Sequence, residues 1–202
     1  MSSAFLNTIC NEEVAALPKL EFTGEIVVIS SDEELIRWLP LLVTESVLGF
    51  DTETKPTFRK GELNSIALLQ LANSHLALLI RLKHTGIPKP LVSLLQNASI
   101  LKIGAAIRDD LKSLQKVKAF TPQGFIDLQN IVTDYGIGEL GVRKMAAIVL
   151  GKKVSKSQQL SNWNAPTLSD AQQQYAAIDA WACREIYMKL TNGQKGDRKS
   201  VV

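Results

Sequence analysis

Hydrophobic and polar positions change period several times along this chain of 202 residues. GEIVVIS, from Gly24, is a short β-branched run and predicts a strand. SDEELIRWLPLL follows at helical spacing, with Ser31 or Asp32 placed to cap it. SVLGFDTET is β-rich and ends in acids, while LNSIALLQLA and HLALLIRL are apolar runs joined by the turn residues Asn73 and Ser74, the pattern of a hairpin. KPLVSLLQN predicts a short helix, SILKIGA a buried strand and IRDDLKSLQKV an amphipathic helix. The second half turns mainly helical through LQNIVTDYG and LGVRKMAAIVLGKK. A polar loop, SKSQQLSNWNAPT, precedes a last long helix, with Ser169 and Gln172 as its capping box and Asn192–Gly193 as its stop. Strands gathered early, then alternation, then helices predict one α/β domain with a mixed sheet over residues 25–192. Residues 1–24 read as an N-terminal arm, and the polar, glycine-rich residues 193–202 as a disordered tail.

Three breaks in this patterning involve acids. In GFDTET, Asp51 and Glu53 lie two apart on a strand, so both leave the same face together with Val47 and Gly49, and Leu48 and Phe50 take the other. In IRDDLKSL, Ile107, Leu111 and Leu114 mark the apolar stripe; at ~100° per residue Asp109 points to solvent and Asp110 flanks the stripe. In QQQYAAIDAWACREIY, Asp179 falls roughly 40° from Tyr175, inside the stripe made with Ile178, Ala182 and Ile186. Each acid alone fits a bland explanation: a strand end, a lysine partner, a core edge. Together they aim four carboxylates at the inner side of one small domain. Such a group cannot stay ionised without counter-charge. Two hard divalent cations with oxygen ligands would supply it, a pair roughly 3.5–4 Å apart being a recurrent device for phosphodiester chemistry.

Composition adds exclusions. Apolar residues are 46% and charged residues 21%, an ordinary globular balance. No apolar run reaches the roughly 20 residues needed to span a bilayer, so no membrane partner is expected. MSSAFLNTICNEEV lacks the basic start and apolar block of a secretory signal, so a cytoplasmic location is expected, or a nuclear one in a eukaryote. Cys10 and Cys183 have no zinc-ligand spacing and read as reduced thiols. Of the net charge of +3, the last ten residues carry +2, which leaves +1 on the domain. Lys55, Arg59 and Lys60, then Lys112, Lys116 and Lys118, then Lys152, Lys153 and Lys156 form basic clusters, each read first as a solvated face and only weakly as a phosphate track.

The three acidic segments in order, GFDTET, KIGAAIRDDLKSL and YAAIDAW, resemble the motifs of the DEDDy-type 3'-5' exonucleases, found in ribonuclease D, the Werner syndrome helicase and the proofreading module of DNA polymerase I. LSNWNAPTLSDAQQQYAAIDAW is similar to the ribonuclease D and Werner branches in particular. The resemblance covers about residues 25–190. It implies an α/β fold of the ribonuclease H-like (DnaQ-like exonuclease) type, a mixed central sheet flanked by helices. It implies Asp51, Glu53, Asp110 and Asp179 as ligands of two divalent ions, Mg²⁺ or Mn²⁺, with Tyr175 orienting the attacking water and Glu53 near the 3'-terminal hydroxyl. The related histidine class carries its histidine five residues before the last aspartate, where this chain has Gln174; His75 is read as a turn residue and His84 as a loop residue. Phe50 and Leu68 are expected in the core rather than against a base, Trp163 to pack its loop beside the last helix, and Lys156 on a solvated loop within reach of a phosphate. The implied activity is hydrolysis of nucleic-acid 3' ends to nucleoside 5'-monophosphates, with DNA favoured and RNA the alternative. The competing reading is a catalytically inactive nucleic-acid binding or interaction module; protein partners are not indicated.

Overall fold

The computed structural model describes residues 5–54 and 66–197. Lys55, Arg59 and Lys60, the first residues of LNSIALLQLA and the end of the tail lie outside the described residues. Six strands form one mixed sheet: β1 (Glu25–Ile29), β2 (Val47–Thr54), β3 (Ile66–Ala72), β4 (Leu76–Arg81), β5 (Leu101–Gly104) and β6 (Phe125–Asp127), in the spatial order β1-β4-β3-β2-β5-β6. β2, β3 and β4 form an antiparallel meander, while β1 joins β4, β5 joins β2 and β6 joins β5, all in parallel. The expected hairpin is present, its turn closed by Asn73, whose side-chain oxygen accepts from His75 N at 3.0 Å and Leu76 N at 2.8 Å. β6 was not anticipated: three partly buried residues are too few to show alternation.

One face of the sheet carries a thick aliphatic core. Leu48, Phe50, Leu69, Leu71 and Leu78 pack there against Leu35 and Leu42 of α2 (Asp32–Leu42), Leu91 and Leu95 of α4 (Lys89–Leu95) and Leu114 of α5 (Arg108–Val117). Ser31 caps α2 in the expected capping box with Glu34. Phe50 and Leu68 are both fully buried, as expected. His84 corrects its reading: it lies in the one-turn helix α3 (Leu82–Thr85), which closes against Gly86.

The other face is covered by the long helix α8 (Asp170–Asp197). Ala176, Ala177 and Ala180 meet Leu68, Ala72 and Ala77, while Cys183 and Ile186 meet Ile103 and residues of α7 (Val142–Leu150), with Leu128 of α6 (Leu128–Ile131) alongside. The Ser169–Gln172 capping box starts the helix. Asn192–Gly193 do not stop it, since the helix continues to Asp197. A helical glycine costs only ~1 kcal/mol relative to alanine, too little to end a helix already twenty residues long. The N-terminal segment lies on the domain surface: Ile9 and Val14, the latter in α1 (Asn11–Ala16), pack on Ala147, and Lys19 bridges Lys153 as a strand fragment. No helix of the described residues is long and apolar enough to cross a membrane.

Candidate active site

Helix α8 approaches β2 closely because Gly49 has no side chain. A Cβ there would stand 1.9 Å from the Ala180 carbonyl oxygen, so helix backbone lies directly on strand backbone. Asp179, the neighbour of Ala180, is thereby brought to Asp51, two residues beyond Gly49 on the same face of β2. Buried Arg184 pins the helix in this position: its Nε donates to Val47 O at 3.1 Å and its guanidinium pairs with Glu45. Buried Arg81 donates to Pro166 O at 2.6 Å and also to Ala165 O, holding the loop that leads into α8.

Oxygen atoms of Asp51, Glu53 and Asp179 all lie within 4.8 Å of one another. No ion pair among the described residues reaches any of them. Burial, reinforced by Asp179, Glu53 and Asp110, pushes the Asp51 carboxyl well up. Glu53 is raised to about 8 by burial and then by the charges of Asp179 and Asp110. Burial raises Asp179 to about 7 against the opposing hydrogen bond from Tyr175. Such acids, crowded and without a cation, want neutralising charge, and their all-oxygen donor set suits a hard divalent ion.

Asp110 reaches the same end of β2 from the other face of the sheet. Its carboxylate accepts from the Thr52 hydroxyl, whose residue lies between Asp51 and Glu53, and burial raises its pKa. The cluster of three therefore excludes Asp110, which stands beside it rather than in it. Asp109 points outward as expected, its side chain 88% exposed and paired to Lys112 at 2.9 Å.

Tyr175 lies one turn before Asp179 on α8, its ring 5.9 Å from that of the buried Trp163. Trp163 thus packs its loop beside the last helix, as expected, and also backs the tyrosine ring. Burial, with Asp179 and Glu53 behind it, pushes the Tyr175 phenol far above its ordinary value, so the hydroxyl stays protonated at neutral pH. A cleft of about 200 Å³ opens beside these groups, lined by Asp51, Tyr175, Asp179, Arg143, Lys156 and Gln159. Lys156 is part of the wall of this cleft. Arg143 was not anticipated; it sits on α7, in a sequence stretch whose only signal was helical period.

An antiparallel meander extended in parallel on both sides, with acids at the end of β2, where the meander meets its parallel extension, matches the ribonuclease H-like fold. The chain belongs to the 3'-5' exonuclease family, whose model matches residues 26–194. The mouse bifunctional 3'-5' exonuclease/ATP-dependent helicase WRN is 31% identical over 195 residues, covering 92% of this chain and 14% of that protein. Among solved structures, the Aedes aegypti Nibbler EXO domain aligns at a TM-score of 0.75 and 25% identity over 87% of this chain and 94% of that one. Escherichia coli RNase D, described as an exoribonuclease involved in structured RNA processing, aligns at 0.76 and 26% over 85% of this chain and 46% of that one. The chain spans a small part of the mouse protein and under half of the E. coli enzyme.

Proposed function

We propose that this protein is a DEDDy-type exonuclease that removes nucleotides from nucleic-acid 3' ends using two divalent ions, Mg²⁺ or Mn²⁺. The observation that carries the reading is the convergence of Asp51, Glu53 and Asp179, crowded, raised in pKa and in no ion pair among the described residues. With Asp110 they form the ligand set. When bound, divalent ions supply the Lewis acidity that makes water a nucleophile near neutral pH and offsets charge on the departing oxygen.

The protein's own groups do the rest. The protonated Tyr175 hydroxyl orients the attacking water rather than taking its proton. Asp179 holds that hydroxyl in place. Glu53 accepts from the terminal 3'-hydroxyl, which restricts attack to chain ends, and Lys156 faces the phosphate from the cleft wall. The water oxygen bonds to phosphorus as the bond to the 3'-oxygen of the preceding nucleotide breaks; that oxygen leaves as a 3'-hydroxyl with a proton from water, and the phosphate stays on the 5'-oxygen of the released nucleoside. DNA is the favoured strand, with RNA as the alternative.

The test is a panel of 5'-labelled single strands and recessed duplexes, as DNA and as RNA, with Mg²⁺ or Mn²⁺. Stepwise shortening is expected from the 3' end, lost in Asp51→Ala and Asp179→Ala. Tyr175→Phe should lose roughly a hundredfold in turnover while binding strand and metal normally. Absence of shortening with either metal, or equal shortening by the alanine variants, points instead to the inactive binding module.

A further inference from the structure

The turn that delivers Asp110 is strained and has no side-chain cap of its own. Gly104 ends β5 under pressure: a Cβ there would meet Ile107 Cγ2 at 2.5 Å and Phe50 O at 2.8 Å. Ala106 then takes φ 58°, the one positive φ outside glycine among the described residues, and a left-handed alanine costs ~1–2 kcal/mol. Ile107 caps α5 without a side-chain hydrogen bond. Something else must hold this turn.

That group is Asp127, the last residue of the neighbouring strand β6, in register with Gly104. Its Oδ1 accepts from Ala106 N at 3.0 Å and its Oδ2 from Ile107 N at 3.1 Å. Oδ1 also accepts from Gln129 N at 3.0 Å, so the same carboxylate caps α6. One carboxylate thus ties two helix starts across a strand boundary, where the peptide dipoles favour negative charge. Leu111 N donates to Ile107 O at 3.0 Å and closes the first turn of α5, within which Asp110 is placed against Thr52.

We propose that Asp127 is a positioning residue for the metal site, acting through the Ala106–Ile107 turn to set where Asp110 presents its carboxylate. The inference rests on the ligand role proposed for Asp110. A serine or asparagine would cap either helix; two carboxylate oxygens are needed to hold three amides at once.

The experiment measures Mn²⁺ binding by calorimetry without any strand, alongside turnover, strand KM and amide hydrogen exchange. Asp127→Ala is expected to weaken Mn²⁺ binding and kcat by about tenfold or more, with strand KM near the wild-type value and protection of the Ala106 and Ile107 amides lost. Asp127→Asn keeps one acceptor oxygen, so it should lose protection of one of the two turn amides and weaken Mn²⁺ binding severalfold, less than the alanine variant, and it serves as the test variant if the alanine protein does not fold. Unchanged Mn²⁺ binding in a folded variant, with turnover at the wild-type rate or falling only with melting temperature, overturns the role of Asp127. Wild-type protein that binds no Mn²⁺ overturns the metal reading itself, and this inference with it.

Discussion

The two faces of β2 differ in what fills the space above them. Leu48 and Phe50 face a layer of leucines from α2, α4 and α5, where interdigitated side chains set the spacing between helix and sheet. Gly49 faces the Ala180 carbonyl, and the layer around it is built of Ala72, Ala77, Ala177 and Ala180. The first face maximises buried apolar area. The second gives up side-chain volume so that backbone meets backbone, and that close approach sets Asp179 against Asp51. The aliphatic core and the meeting of Asp179 with Asp51 are thus separated by a single residue step along one strand.

Substitutions at adjacent positions test that separation. Gly49→Ala should have the largest effect, since its methyl group must push α8 outward. About 3 kcal/mol of stability and roughly a hundredfold in turnover per folded molecule should be lost, as read from urea unfolding and strand shortening. Leu48→Ala, on the other face, should cost a similar ~3 kcal/mol through the cavity left behind, yet leave turnover per folded molecule near wild type. A turnover collapse in Leu48→Ala would show that the faces are not independent.

A third effect is that of pH on the metal-free protein. Glu53 at about 8 and Asp179 at about 7 are raised in the folded state, so between roughly pH 4 and pH 8 the native protein holds more protons than the unfolded chain. Their contribution is fully present below pH ~4 and is lost as pH rises through 7 and 8. In EDTA the urea midpoint should therefore fall from pH 5 to pH 8, and Mn²⁺ should remove or reverse the fall. A midpoint that rises with pH in EDTA would mean that the acids of the α8 face are not crowded as described.

Much of this was legible in the chain because it was written in period. The alternation of GFDTET placed Asp51 and Glu53 on one face, and the helical angle of Asp179 put it inside its stripe; the structure has both. The choice of Asp110 over Asp109 followed from the family motif; the helical angle agrees with it, and so does the burial of the two residues. What escaped lacks period or depends on contacts between distant segments. Phe125–Asp127 is too short to alternate, so neither β6 nor Asp127 stood out. Gly49 was placed on the acidic face, but its contact with residue 180 belongs to the packing of two elements. The end of α8 was misplaced because Asn192–Gly193 is a stop only where the chain turns, and here it does not.

The dependence of the cluster on α8 also has a temporal side. Asp51 and Glu53 belong to the second strand of the chain, whereas Asp179 arrives on its last helix. During vectorial synthesis the N-terminal segments emerge first, and contacts of such wide sequence separation form late. Until α8 emerges the polypeptide carries two of the three clustered acids without the third. The cluster is therefore completed only after every strand of the sheet has been made.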